Sequence, residues 1–169
     1  QFHHLVRTVP ASGAIVYPAG DAAVATVLGM GMWSRSRPFT VDCAGGEWNA
    51  RLPQSDGSAF VLGDRDDACS VALEWQHKGR HNVSNALAAA ALAETVGIPL
   101  ERSGAALRDF RGVKRRLELL GCIAGVSVYD DFAHHPTAIE VTLQGLRAAK
   151  VDGRIVAVIE PRSNTMRLG

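Results

Sequence analysis

Two asparagines three residues apart stand at the start of an alanine-rich segment. Asn82 and Asn85 follow Gly79, and six alanines lie between positions 86 and 93. Residues three apart share one face of a helix, and a side-chain amide offers a donor beside an acceptor, which matches the amino and ring-nitrogen edge of adenine. The alternative is structural, with Asn82 as a helix cap and Asn85 as a solvated surface residue. Both interpretations stay open on these residues alone.

Three consecutive basic residues, at positions 114–116, precede Leu117 and Glu118. An arginine guanidinium has fixed donor geometry and a permanent charge, so it suits a phosphate group. A solvated surface explains the same cluster. If this segment is a strand, alternation places Arg116 and Glu118 on one face, opposite Leu117 and Leu119.

A polar string, YDDFAHHPT at positions 129–137, lies between a predicted strand and a predicted helix that begins at Pro136. The carboxyl end of a strand facing a helix N-terminus is where α/β proteins hold anionic ligands. Asp131 there can accept two hydrogen bonds from a ribose diol. Adjacent histidines rarely aim at one ion, so for His134 and His135 we prefer loop structure or substrate contact to metal ligation.

A second polar string, EPRSNTMR at positions 160–167, directly follows an apolar segment. Arg162, Asn164 and Arg167 would suit the carboxylates of a peptide substrate, because arginine pairs with carboxylate in a bidentate manner. An ordinary polar loop remains the alternative.

The elements that position these strings predict an α/β fold. The region around Arg111-Gly112-Val113-Lys114 is the best candidate for a domain junction, and the strand–helix–strand order after it indicates the start of a doubly wound domain. Gly45-Gly46 and Asp56-Gly57 are predicted hairpin turns. Helices are predicted at the first ten residues, 22–28 with Asp21 as N-cap, 82–96, 100–110 and 136–149. Strands are predicted at 14–17, 39–43, 47–52, 58–63, 68–75, 116–123, 125–131 and, buried in a parallel sheet, 154–159.

Composition excludes several classes of protein. The 169 residues are 47% hydrophobic, which rules out a disordered chain. The net charge is +1 and the pI is about 8.0, below the value of roughly 9 typical of nucleic-acid-binding domains, so no nucleic-acid partner is expected. No apolar run approaches the roughly 20 residues of a membrane span. Cys43, Cys69 and Cys122 are widely spaced, which predicts buried structural thiols and a cytoplasmic protein.

Four strings in this order resemble the Mur ligase family: His-Asn-x-x-Asn, Arg-Arg-Leu-Glu, the YDDFAHHPT string and the EPRSNTMR string. The segment from Phe2 to Pro10 is also similar to a helix of the family's central domain. The resemblance implies the C-terminal part of a central ATP-binding domain at 1–113, followed by the first part of a Rossmann-like C-terminal domain at 114–169. The YDDFAHHPT string resembles the branch that joins an amino acid or a peptide to UDP-N-acetylmuramate. The EPRSNTMR string resembles the enzymes of that branch that join L-alanyl-γ-D-glutamyl-meso-diaminopimelate, with the enzymes that join L-alanine as the alternative.

The resemblance also implies roles for individual residues. Asn82 and Asn85 match adenine-contacting asparagines, and Arg116 matches a catalytic arginine near the hinge that reaches the nucleotide. Asp131 matches an aspartate that closes over ATP. The candidates for substrate contact are His134, His135, Arg162, Asn164 and Arg167. The reaction implied uses ATP and Mg²⁺ to form an acyl phosphate, which the amine of the peptide then attacks.

The chain departs from the family pattern in what it lacks. No Gly-x-x-x-x-Gly-Lys-[Ser/Thr] loop is present to hold the β- and γ-phosphates. Metal ligands are expected upstream, as is a uridine-nucleotide domain. The chain starts without methionine, so we expect a piece truncated at both ends that has no ligase activity alone. A hypothesis of another class is a non-catalytic nucleotide-binding or interaction module.

Overall fold

The computed structural model describes residues 1–66, 68–149 and 153–160. Five helices and seven strands are assigned within these ranges, and the α/β fold class predicted from the sequence is confirmed. The helices are α1 (Phe2–Thr8), α2 (Ala22–Gly29), α3 (Arg80–Glu94), α4 (Leu100–Asp109) and α5 (Pro136–Ala148). The strands are β1 (Ala14–Pro18), β2 (Arg35–Val41), β3 (Trp48–Arg51), β4 (Ala59–Asp64), β5 (Ser70–Glu74), β6 (Glu118–Ile123) and β7 (Val126–Asp130).

The first five strands form one mixed sheet in the order β1-β2-β3-β4-β5. The first three strands run parallel, and β4 and β5 are antiparallel to their neighbours. Helix α2, between β1 and β2, begins at its predicted cap, because the Asp21 carboxylate accepts the backbone N–H groups of Ala23 and Val24 at 2.9 and 3.0 Å.

The predicted hairpin turn at Gly45-Gly46 is wrong. The loop 42–47 carries the chain back beside β2, so that β3 runs parallel to it, with Phe39 opposite Trp48. The loop closes tightly here, because a Cβ on Gly46 would clash with the carbonyl oxygen of Trp48. The other predicted turn, at Asp56-Gly57, does lie in the connection between the antiparallel strands β3 and β4.

The core lies where α3 and α4 pack on this sheet. Helix α3 contacts the first three strands, and α4 contacts β5. Alternate residues of β5 are buried, as expected of a strand with one covered face. Among the side chains with the least exposure are Phe60, Leu62, Leu73, Val83 and Leu87.

The second part of the chain consists of the hairpin β6–β7 and helix α5. The predicted buried strand at 154–159 is wrong: residues 154–160 are described without strand pairing, and Val156 and Val158 are 69% and 95% exposed. A buried parallel strand needs neighbours on both sides, and no described strand pairs with this segment.

The three cysteines are free and exposed, so the prediction of buried thiols is wrong. Cys43 lies in the loop before β3, and Cys69 immediately precedes β5. Cys122 lies on β6, whose residues are exposed or only partly buried. Within the described ranges, no helix combines the length and the apolar character needed to cross a membrane.

Candidate functional site

A cleft of about 1000 Å³ lies between helices α3, α4 and α5 and the linker, residues 110–117, that precedes β6. Five of the residues selected from the sequence line it: Asn82, Asn85, Arg116, Asp131 and His135. They come from segments separated by as many as 53 positions, and the fold brings them to one concavity. Their individual roles stay predictions.

The N-terminus of α3 supplies one wall of the cleft. Its cap is Gly79, whose φ of 97° lies in the left-handed region that favours glycine. Asn82 therefore lies in the first turn and is not the N-cap. Its Nδ2 donates to the carbonyl oxygen of Lys78 at 2.7 Å, so the donor side of this amide is in use while its oxygen remains available.

Asn85 lies one turn further along α3 and is exposed toward the cleft. In the part of the chain that the structure describes, its side chain makes no hydrogen bond. Both the donor and the acceptor of this amide are therefore free for a ligand. The alanines at 86, 89, 90 and 93 line the cleft beside it, so the wall of α3 is thin and apolar around the two amides.

A partly buried carboxylate, that of Asp56, anchors the turn before α3. Asp56 accepts hydrogen bonds from the backbone and hydroxyl of Ser58 and from Lys78, whose Nζ lies 2.9 Å away. Burial raises the pKa of Asp56, but these hydrogen bonds outweigh it and lower the pKa from 3.8 to about 2. The Asp56 carbonyl also accepts the N–H of Gly79 at 2.7 Å, which fixes the start of the helix.

The linker between the two parts of the chain presents a free cation. Arg115 is held by Asp130, with Nε and Oδ2 3.0 Å apart, and its guanidinium lies 5.2 Å from the ring centre of Phe132. Arg116 is exposed and lines the cleft, and it makes no hydrogen bond through its side chain or ion pair among the described residues. Its guanidinium is therefore available for an anionic ligand.

The predicted alternation of Arg116 and Glu118 with Leu117 and Leu119 is wrong. Strand β6 begins at Glu118, and the φ angles of Arg115 and Leu117 are 60° and 50°. A positive φ takes the backbone out of the extended conformation, so side chains on either side of it do not alternate as in a strand.

Asp131 first organises its own loop. One carboxylate oxygen accepts the backbone N–H of Leu117 at 2.7 Å, and the other accepts that of Ala133 at 2.7 Å. Each oxygen retains a further lone pair, so the predicted contact with a ribose diol is compatible with this geometry and stays a prediction.

The two adjacent histidines diverge. His135 lies in the position before α5 and lines the cleft. The Nδ1 of His134 donates to the carbonyl of Phe132 at 3.0 Å, and this side chain is not among those that line the cleft. In the described ranges, no group of three or more His, Cys, Asp or Glu residues is placed to hold a metal ion. Arg162, Asn164 and Arg167 lie outside the described residues.

His81 lines the cleft and was not selected from the sequence. It is half-buried, and its Nδ1 is buried without a hydrogen-bond partner in the described part of the chain. Burial is the main cause that lowers the pKa of His81; Asp131 opposes this by raising it, and Arg116 lowers it further. The sequence spacing could have indicated His81, because it stands four residues before Asn85 and hence on the same helical face.

Four aromatic side chains in contact connect the core to the start of the linker. The ring of Trp75 lies 4.8 Å from Phe60 and 4.9 Å from His77. His77 in turn contacts the ring of Phe110 and bonds its carbonyl oxygen through Nε2 at 2.9 Å. The end of α4 is therefore fixed to the sheet, and the linker starts from a defined position.

Residues 115–167 match the family described as Mur ligase, glutamate ligase domain. The UDP-N-acetylmuramate–L-alanyl-γ-D-glutamyl-meso-2,6-diaminoheptandioate ligases of Haemophilus influenzae and Escherichia coli are 43% and 46% identical to the whole chain. The crystal structure of a murein peptide ligase from Psychrobacter arcticus has a TM-score of 0.74 and 42% identity, over 97% of this chain and 34% of that one. The chain spans 37% and 36% of the length of the two curated relatives.

Proposed function

We propose that this chain, which belongs to the Mur ligase family, forms the adenine-binding wall and the hinge of an ATP-dependent amide ligase. The ligase joins L-alanyl-γ-D-glutamyl-meso-diaminopimelate to UDP-N-acetylmuramate, a reaction of peptidoglycan recycling. Similarity to the two tripeptide ligases along the whole chain supports the choice of substrates.

The observation that carries the nucleotide site is the meeting of two asparagines, a free arginine and an aspartate in one cleft. A cleft of about 1000 Å³ has the volume of a typical small-ligand site. The free side-chain amide of Asn85 suits the edge of adenine, and the side-chain oxygen of Asn82 adds an acceptor. The residues present therefore fit an adenine nucleotide.

Arg116 and Asp131 bind different parts of the nucleotide because their charges are opposite. The guanidinium of Arg116 has no partner in the described residues and offers donors to phosphate oxygens. Asp131 has acceptor capacity for ribose hydroxyls while it holds the linker in place. When bound, ATP supplies the phosphoryl group that activates the muramoyl carboxylate; these residues orient the nucleotide for that transfer.

The described residues do not fit a magnesium site, because they contain no cluster of metal-ligating groups. The chain also has no Gly-x-x-x-x-Gly-Lys-[Ser/Thr] sequence. We therefore propose that the ligands of Mg²⁺ and the cradle of the β- and γ-phosphates lie outside the described residues.

The chain divides functionally at the linker. We place the end of the central ATPase domain at residue 113 and the start of the ligase domain at 114, which agrees with a family match that begins at Arg115. We propose that the peptide contacts His134, His135, Arg162, Asn164 and Arg167; of these His135 lines the cleft, and the last three lie outside the described residues. The cytoplasm is the compartment that suits three free, exposed cysteines.

Calorimetric titration of this chain with ADP tests the nucleotide site. Replacing Asn85 by alanine removes the free amide and should weaken ADP binding about tenfold or more, the value of one bidentate base contact. Ser84→Ala, on the same helix and outside the cleft lining, is the matched control and should bind like the unaltered chain. Equal affinities for the Asn85→Ala variant and the control would contradict the adenine assignment.

Amide formation by the complete gene product tests the ligase. We expect product from UDP-N-acetylmuramate with the tripeptide and little with L-alanine, whereas this chain alone forms none. Preference for L-alanine would assign the protein to the other branch, and nucleotide binding without amide formation by the complete product would favour a non-catalytic module.

A further inference from the structure

His81 lines the same cleft as Arg116 and Asp131, the two charged residues that the linker and the loop before α5 contribute. It occupies the second position of α3, and Arg116 and Asp131 both act on it electrostatically. Its ring packs over the cap of the helix: a Cβ on Gly79 would lie 2.6 Å from Cε1 and 2.7 Å from Nδ1 of the imidazole. The imidazole is therefore fixed against the turn, with one ring nitrogen buried and unpaired.

We propose that His81 is a positioning residue of the cleft that acts through Arg116 and Asp131, and that its imidazole takes up a proton from solvent when a nucleotide polyphosphate binds. This inference rests on the proposed function, because it requires a nucleotide in the cleft. It goes beyond that function by adding a residue and a linked proton.

Arg102 of α4 lines the same cleft, but the charged groups that act on His81 are Asp131 and Arg116, and several nearer ionisable groups are paired. Lys78, in the turn below it, pairs with Asp56, and Arg80, its neighbour on α3, pairs with Asp42 at 3.0 Å. His77 is bonded to the carbonyl of Phe110. Helix α5 lines the cleft with uncharged side chains only, and His135 before it is exposed. Arg116 and Asp131 therefore dominate the charge balance at this imidazole.

The direction of the coupling follows from charge. In the free cleft, burial and Arg116 both disfavour the imidazolium, and Asp131 favours it. Polyphosphate oxygens on Arg116 cancel the field of that cation and add negative potential of their own. The imidazolium form then has one repulsive neighbour fewer, so the neutral imidazole gains a proton, and the resulting charge is attracted to Asp131.

Linkage fixes the dependence of binding on pH. If the pKa of His81 is higher in the complex than in the free protein, binding tightens as the pH falls through the pKa of the complex. The effect stops once His81 is protonated in both states. For charges of this kind near a protein surface we expect ADP to bind about 3- to 10-fold more tightly at about pH 5.5 than at about pH 8 through this group.

Proton NMR of the His81 Cε1–H signal measures the first step in this chain of 169 residues. We expect the titration midpoint of His81 to rise when ADP is added. In the free chain, Arg116→Met should raise the midpoint and Asp131→Asn should lower it. A midpoint that Arg116→Met leaves unchanged would show that the two residues do not act on each other, and would overturn the inference.

Calorimetry in two buffers of different ionisation enthalpy then counts the protons taken up with metal-free ADP. Phosphate groups titrate in the same range, so the quantity compared is the difference between the unaltered chain and His81→Gln, which keeps hydrogen bonding without a titrating charge. His4→Gln, at an exposed position on α1, is the matched control and should retain full proton uptake.

The outcomes separate the inference from the proposed function. Uptake that disappears in His81→Gln and persists in His4→Gln supports the inference; a purely structural role would leave proton uptake unchanged. ADP binding with no uptake at His81 overturns the inference and leaves the nucleotide site standing. Absence of ADP binding to the unaltered chain overturns both.

Discussion

The carboxylate of Asp131 accepts the backbone N–H of Leu117 at 2.7 Å, across 14 positions of the chain. Its second oxygen accepts the N–H of Ala133 at the same distance. Asp131, which we propose contacts the nucleotide, thus also connects the linker to the loop that precedes α5. Loss of this side chain should therefore affect both the order of the linker and the affinity of the cleft.

Replacing Asp131 by alanine should loosen the linker without unfolding the sheet. Two hydrogen bonds to a charged, partly buried acceptor are lost, which we expect to lower the local opening free energy at Leu117 and Ala133 by about 2–3 kcal/mol. Amide hydrogen exchange at these two residues measures it. Asp130→Asn is the control, because its pair with Arg115 is largely exposed and worth about 0–1 kcal/mol. Unchanged exchange in Asp131→Ala would contradict this prediction.

Asp56 should make the chain sensitive to acid. Its pKa falls from 3.8 to about 2 on folding, so its contribution to stability is complete above about pH 4 and is lost as the pH falls toward 2. The contribution is about 2 kcal/mol. Urea unfolding as a function of pH should show the chain and Asp56→Asn converging over that interval. A constant difference down to pH 2 would mean that this carboxylate is not the source.

Gly145 of α5 should control how closely the second part of the chain approaches α3. A Cβ at this position would lie 3.3 Å from the Cα of Gly79, tighter than an ordinary contact. Gly145→Val should displace α5 from the turn and weaken ADP binding several-fold, by about 1 kcal/mol, whereas Gly29→Ala, where a Cβ meets nothing within 4 Å, should not. Calorimetry with ADP measures both, and equal affinities would show that this contact does not shape the cleft.

Arg37 should be a stability determinant of the first sheet. It is 5% exposed, pairs with Glu47 at 2.8 Å and also with Glu94 at the end of α3, and lies over the ring of Trp48. Arg37→Ala removes a buried side chain and its two ion pairs with carboxylates that are only half-buried, so the free energy of unfolding should fall by about 1–3 kcal/mol.

Equilibrium unfolding in urea measures this loss. Arg37→Met, which keeps the volume of the side chain, should be less destabilising, because the packing against Trp48 is retained. A loss of under about 1 kcal/mol in Arg37→Ala would show that the two ion pairs are not coupled to the core.

The sequence by itself determined the features that depend on neighbours along the chain. The cap at Asp21, the start of α5 at Pro136 and the hairpin β6–β7 follow from local turn and capping chemistry, and the structure has them. The order of four short sequence strings identified the family, because the side chains that bind one ligand occur in the same order along the chains of a family. The spacing of Asn82 and Asn85 predicted a shared helical face, and both side chains line the cleft, whereas their contact with adenine stays a prediction.

Only the tertiary structure decided the features that depend on residues distant in the chain. Whether β3 pairs parallel or antiparallel with β2 is set by the path of the loop 42–47, and not by the glycines within it. The apolar segment 154–159 has the composition of a buried strand, yet burial requires neighbouring strands that it does not have among the described residues. The electrostatic effect of Asp131 and Arg116 on His81 likewise arises only in the folded cleft, where α3 and the linker lie together.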